Sequence, residues 1–300
     1  MKILCILLPH FPLQCEIARH PELKDRPVII TRAAASQKMV LDYAPQLVKL
    51  QAGMPLQAAI SLYGEAELIR ADIPCYQSAF GEILDALETR SPLVEGAAPG
   101  EVYLGLDGLQ LIYETDDAAV GAVRSAMPPG FDARIGIAEG KFPALLAAQH
   151  STPDSYRVLK GDLQDFLRDL SCDLLPVERQ IKEKLHEFGL HTLGQVAALE
   201  VGPLQAQFGP EGKRIRQLAN GIDEAPLFPR LTEEIIEENT TLPSVTTSLD
   251  VILVAVETML TSAFTKFEKK GLVVRSIDLW TKSWLGEHWE RAVNFKEPAL

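Results

Sequence analysis

The chain opens on KILCILL (residues 2–8), an uninterrupted apolar run halted at once by Pro9 and Pro12. A run this short cannot span a bilayer, which takes about 20 apolar residues. It also lacks the small-residue cleavage site of a secretion signal. A continuous apolar run bounded by breakers fits a strand buried on both faces. The chain is therefore expected to build a layered core around its first residues. Residues 27–31 (PVIIT) repeat the signal, with a helical segment over Gln14–Arg19 between the two.

Along the chain, the spacing predicts helices over Met39–Leu50, Ile73–Thr89, Asp117–Met127 and Lys141–Gln149. It predicts strands over Glu101–Tyr113 and Asp132–Ala138, with a loop over Glu95–Gly100. That order indicates an α+β core with a mixed sheet. Near residue 160 the character changes to short amphipathic helices, Leu163–Leu170, Glu178–Phe188, Leu204–Phe208 and Lys213–Asn220. Residues 226–229 read as a linker. A strand (Glu233–Thr240), a long helix (Leu249–Lys270) and two strands joined at Leu285-Gly286 (Leu272–Ser283 and His288–Phe295) follow. This β-α-β-β pattern lacks a covering helix and a fourth strand, so the chain is expected to be truncated.

Composition narrows the functional classes. An apolar fraction of 47 % is ample for several cores, and a net charge of −12 argues against tight, non-specific nucleic-acid binding. No segment is basic. The four cysteines show no C-x-x-C spacing, and His186 and His191 miss the i, i+4 spacing of paired ligands. No His/Cys metal site is expected, and reduced thiols fit a cytoplasmic protein.

Three local patterns could carry chemistry. In Leu185–Leu199, L-x-x-x-G-L-x-T-L-x-x-V-x-x-L, Gly189 closes one helix and Thr192 caps the next. Such a hairpin offers the backbone of Gly189, Leu190, His191 and Thr192 to a phosphate, with Lys213, Arg214 and Arg216 nearby as cations. An ordinary helical hairpin with a charged face fits equally well. Glu101 and Asp107 share a strand face but lie roughly 20 Å apart, too far to serve one pair of metal ions. The turn from Gly136 to Phe142 has glycines and Lys141, but not the spacing of a phosphate loop.

In sequence order, several segments resemble the Y-family (lesion-bypass) DNA polymerases. Glu16-x-x-x-x-Pro21-x-Leu23-x-Asp25-x-Pro27-Val-Ile resembles the end of the first motif and the strand beyond it. Tyr43 with Gly53-Met54-Pro55 resembles the fingers, and Tyr76 with Glu101-Val-Tyr103-Leu104 the S-x-D-E-x-Y-L-D segment. Gly136-Ile-Ala-x-x-Lys141-Phe-x-Ala144 resembles the G-I-A-x-x-K signature. The resemblance implies a multidomain α+β right hand. Its palm is 1–30 and 70–160, its small fingers 31–69 and its thumb 161–226 with the helix-hairpin-helix. The start of a little finger is 230–300.

It also implies losses. The family's three metal-binding carboxylates fall at Leu7, Gly100 and Glu101. The Arg beside the fingers Tyr43 falls at Gln46, a later Lys at Thr152, and the aromatic gate against ribonucleotides at Pro12. The pattern is similar to the non-catalytic ImuB-type branch. The expectation is a catalytically inactive adaptor with no metal or other cofactor, weak DNA binding and no membrane contact. By resemblance its partners are the sliding clamp, a RecA-like accessory protein and an error-prone replicative-type polymerase. No clamp-binding peptide is expected within the chain, since Gln110–Tyr113 falls in the predicted strand and Pro226–Phe228 lacks a leading Gln. The alternatives are an active lesion-bypass polymerase with an atypical metal site, or an unrelated α+β enzyme or binding module.

Overall fold

In the computed structural model the described residues are all but 35–36, 154, 231–234, 243–245, 247, 271–272, 283–287 and 300. They divide into a unit from Met1 to Arg230 and a second from Leu231 onward.

The first unit is built on a five-stranded sheet of order β5-β6-β1-β7-β8. Its strands are β1 (Lys2–Leu7), β5 (Val94–Ala98), β6 (Glu101–Gly105), β7 (Arg134–Glu139) and β8 (Tyr156–Val158). Neighbours are antiparallel except β7 and β8. The apolar run that opens the sequence lies at the centre, with Ile3, Leu4, Cys5 and Ile6 essentially inaccessible. On one face Leu4, Ile6, Val102, Leu104 and Ile137 meet α1 (Phe11–Arg19), α3 (Ile73–Glu88) and α4 (Asp116–Ala126). On the other, Ile3, Cys5, Tyr103 and Ala138 meet α5 (Lys141–Gln149). α5 lies so close to β7 that a Cβ at Gly136 would stand 2.2 Å from the Ala148 nitrogen. Only glycine permits that approach.

A second sheet, order β3-β2-β4, comprises β2 (Val28–Ala34), β3 (Gln37–Tyr43) and β4 (Glu67–Arg70), covered by α2 (Leu56–Leu62). The helix predicted over Met39–Leu50 does not form there. β3 pairs antiparallel with β2, from Ile29 opposite Tyr43 to Ala34 opposite Gln37. Its buried positions, Val40 and Asp42, alternate with period two, and the inward aspartate is what breaks the apolar alternation in the sequence. Val94–Ala98, expected as loop, is likewise strand, because β6 supplies its ladder. β6 itself stops at Gly105, so Gln110–Tyr113 is a turn with Leu111 fully exposed.

The helical part is α6 (Gln164–Leu167), α7 (Arg179–Glu187), α8 (Leu193–Ala197), α9 (Val201–Phe208) and α10 (Pro210–Ala219). Leu167, Cys172, Leu185, Leu193, Val196, Ile215 and Leu218 form its core. The chain then returns to the edge strand β5: the Phe228 N–H donates to Glu95 Oε2 at 2.7 Å and the Arg230 N–H to the Val94 carbonyl at 2.7 Å.

In the second unit α11 (Leu249–Lys270) is followed by the antiparallel pair β9 (Val274–Lys282) and β10 (His288–Ala299). The strand predicted over Glu233–Thr240 is not seen from Ile235 to Thr240, and Glu233 and Glu234 lie outside the described residues, as do Leu272, Leu285 and Gly286. Among the described residues no helix is long and apolar enough to cross a membrane.

Candidate functional site

Glu101 and Leu7 stand directly opposite each other across β6 and β1, and so share a face of the central sheet. Tyr103, two residues on, shares that face, and its hydroxyl donates to Glu101 Oε1 at 2.7 Å. Burial raises the Tyr103 phenol pKa far above its ordinary value, and burial, then the Glu101 charge, does the same to the Cys5 thiol. Both groups are thus held neutral beside a carboxylate. Lys141 lies alongside, paired with Glu95 at 3.0 Å and 5.8 Å from the Tyr103 ring centroid.

Gly100 precedes Glu101 with φ +86°, and its carbonyl accepts from the Leu8 N–H at 2.7 Å. A Cβ there would come within 2.7 Å of Phe11 Cβ and 2.8 Å of the Leu8 carbonyl oxygen. No side chain fits. Leu7, Gly100 and Glu101 therefore offer one carboxylate, and these positions do not fit a pair of divalent ions, which need several oxygen ligands. Asp107 adds nothing, because it lies beyond β6 and accepts from the Lys2 N–H at 3.2 Å.

A second cluster, not apparent in the sequence, adjoins the turn between β1 and α1. His10 adopts a left-handed conformation, φ 53°, before α1. Its Nδ1 lies 2.7 Å from Asp42 Oδ1, and Asp42 also accepts from the N–H groups of Leu13 and Tyr43. The buried carboxylate thus ties β3 to the start of α1. Tyr43 packs edge-on to His10, with centroids 5.3 Å apart. The other two expected nucleotide-site residues are engaged elsewhere: Gln46 donates to the Arg26 carbonyl at 2.7 Å, and Thr152 Oγ1 meets Ser155 Oγ at 2.9 Å.

At the turn into α5, the Phe142 N–H donates to Asp223 Oδ2 at 2.7 Å, so a carboxylate of the chain itself occupies that helix N-terminus.

The helical hairpin has the predicted shape. Gly189 has φ +76°, and Thr192 and Gln195 form a reciprocal capping box on α8. Its amides are not vacant. Gln195 Oε1 accepts from His191 N–H at 2.7 Å and Thr192 N–H at 3.1 Å; Leu190 N–H reaches the Leu185 carbonyl and Gly189 N–H the His186 carbonyl. Of the cations, Lys213 is exposed, Arg214 pairs with Glu211 at 3.4 Å, and Arg216 donates to the Leu199 carbonyl.

The impB/mucB/samB family matches residues 6–149. A protein named DNA polymerase IV from Clostridium kluyveri is 27 % identical over 279 residues, 88 % of this chain and 69 % of that one. Another of that name from Dehalococcoides mccartyi is 26 % identical over 283 residues, 91 % of this chain and 73 % of its own. Among solved structures, DinB from Sulfolobus solfataricus superposes with a TM-score of 0.65 at 20 % identity, covering 99 % of this chain and 89 % of that one. An insertion ternary complex of Dbh DNA polymerase does so with the same TM-score and identity.

These matches correct three expectations. The inactive adaptor, the absence of enzymatic function and the absence of a metal cofactor were inferred from Leu7 and Gly100 together with Gln46, Thr152 and Pro12. The relatives that match along most of the chain are named as polymerases, and nucleotidyl transfer by polymerases takes divalent ions. Substitutions at a handful of motif positions are too narrow a basis for the opposite conclusion. Where such ions would bind here is not given by Leu7 and Gly100.

Proposed function

From a chain similar in sequence to proteins named DNA polymerase IV and in fold to Y-family DNA polymerases, we propose a lesion-bypass DNA polymerase with an atypical metal site, acting in translesion synthesis. The observation that carries this reading is the match over nearly the whole chain to polymerases, with Glu101 retained on the face of the central sheet. In this reading the five-stranded sheet is the palm (1–30 and 70–160) and the smaller sheet the fingers (31–69). The helices from 161 to 226 are the thumb, and 230–300 is the little finger. Tyr43, held against His10, borders the nucleotide. Gly189–Thr192, Lys213, Arg214 and Arg216 face the duplex backbone, where a phosphate displaces Gln195 from the His191 and Thr192 amides. Gln46 and Thr152 sit where the family places cations, so the triphosphate is gripped less tightly. The sliding clamp, a RecA-like accessory protein and a replicative-type polymerase are the proposed partners, and the cytoplasm the proposed location.

The test is primer extension by the purified protein with Mg²⁺ or Mn²⁺ and all four deoxynucleotides. Extension is expected, falling at least about 100-fold in Glu101→Ala, a loss within the range of a single electrostatic contact to the transition state. No extension at enzyme excess, or extension indifferent to Glu101→Ala, overturns the proposal.

A further inference from the structure

Outside that site, the helical module brings His186 of α7 against two consecutive donors, Cys172 and Asp173. Cys172 Sγ, an Asp173 carboxylate oxygen and a His186 ring nitrogen all lie within 4.8 Å of one another. Cys172 Sγ stands 3.8 Å from His186 Nε2, and Asp173 Oδ1 stands 2.8 Å from the same nitrogen. A tetrahedral zinc ion, with bonds near 2.3 Å to sulfur and 2.0–2.1 Å to nitrogen, sets those two atoms about 3.6 Å apart. The sulfur and nitrogen are therefore already close to a ligating separation. The carboxylate has to retreat only by about half an ångström.

The surroundings fit the same chemistry. The other ring nitrogen of His186, Nδ1, meets His191 Nδ1 at 2.8 Å, and the two rings stack with centroids 5.1 Å apart. A ligating histidine is commonly oriented by just such a bond at its second nitrogen. Ser171 Oγ holds the outer oxygen of Asp173 at 3.0 Å, leaving Oδ1 turned to His186. The thiol is buried at the inner side, while the side chains of His186 and Asp173 are 36 % and 58 % exposed, so an ion has a path in and a solvent position for a fourth ligand.

We propose that Cys172, Asp173 and His186 form a site for a zinc-class divalent cation, with His191 orienting His186. A thiolate and an imidazole select such an ion over magnesium. Binding releases the Cys172 proton, which now faces the Leu190 carbonyl at 3.1 Å. The ion joins the turn at Ser171–Leu174 to α7, whose hairpin follows directly. Occupancy thereby stiffens the segment carrying Gly189–Thr192, independently of whether the chain synthesises DNA.

The experiment is titration of the full-length, metal-stripped protein with Co²⁺, followed by displacement with Zn²⁺. A thiolate-to-cobalt charge-transfer band is expected at one equivalent, lost in Cys172→Ala and in His186→Gln, and abolished when Zn²⁺ is added. Because Cys172 lies in a core, Asp173→Asn and His191→Gln, both at the surface, provide the second reading. The first weakens Co²⁺ binding with the band retained in form, and the second lowers affinity roughly 10–100-fold. Absence of the band in the folded wild-type protein, or an unchanged titration in folded Cys172→Ala, shows that the three side chains are only a hydrogen-bonded lock and overturns the proposal.

Discussion

At position 100 the backbone dictates the residue before chemistry is considered. Its positive φ and the contact with Phe11 and the Leu8 carbonyl leave no space for a Cβ. Gly100→Asp is therefore expected to lower stability by roughly 1–3 kcal/mol, from the strained conformation alone, and more from the clash. Leu7→Asp is different. Leu7 is half-buried and opposite Glu101 with no steric block, so the chain should fold, at a cost from two facing carboxylates. Thermal melts of the two variants, run side by side, check the ordering: a Gly100→Asp protein as stable as the wild type contradicts this account. At this scale Glu101 was legible from the sequence, because a strand start and a motif mark it. The His10–Asp42 bond was not, because the partners are 32 residues apart and meet only once β3 forms. The Cys172, Asp173 and His186 group was invisible for a similar reason, since His186 lies in α7, thirteen residues beyond the Cys172-Asp173 pair, and no familiar ligand spacing announces it.

Among elements, those with strong period or continuous apolar character were readable: β1, α3, α5 and α11 lie where the pattern placed them, to within a residue or so. Among the failures, besides the strands expected over Glu101–Tyr113 and Glu233–Thr240, were β3 and β5, whose identity comes from their neighbours' hydrogen-bond ladders rather than from local preference. α4 shows how an element is anchored electrostatically. Its first-turn Asp116 pairs with Lys2 of β1 and with Lys160. Burial pushes the Asp116 pKa up, but hydrogen bonds and charge from the two lysines outweigh it, and the net pKa lies below the ordinary carboxylate value. A carboxylate depressed in the folded state contributes stability that is present above its unfolded pKa, near 3.9, and lost as pH falls through the folded value. Acid titration of stability should thus show a loss below about pH 4. In Lys2→Met that loss should be smaller, because less of the depression remains. Equal acid sensitivity in both proteins would remove the pair from the account.

For the whole molecule, the decisive quantity is charge. A net −12 is set against the need of the proposed polymerase to meet a phosphate backbone. The duplex grip is expected to be weak and to fall with salt, with a slope near −0.9 per phosphate neutralised. The exposed cations near the helical hairpin are few, so a shallow slope is expected from fluorescence anisotropy with a labelled primer–template. Nanomolar affinity at physiological salt, or a slope as steep as that of a dedicated DNA-binding protein, contradicts it. The proposed division into palm, fingers, thumb and little finger rests on the order of motifs, since no compositional break marks a fingers segment within the first unit.

The return of the chain to β5 has a consequence for behaviour in concentrated solution. An outermost strand offers its amides and carbonyls to any other chain, a standing risk of sheet-to-sheet association. Here the Arg230 amide takes the Val94 carbonyl, the Phe228 amide is satisfied by Glu95, and the Arg230 guanidinium is pinned by Asp85 at 2.7 Å. Arg230→Pro removes that amide donor and the pin together while sparing the core. Its expected signature is therefore in light scattering, as molecules that remain folded begin to pair along an uncovered border.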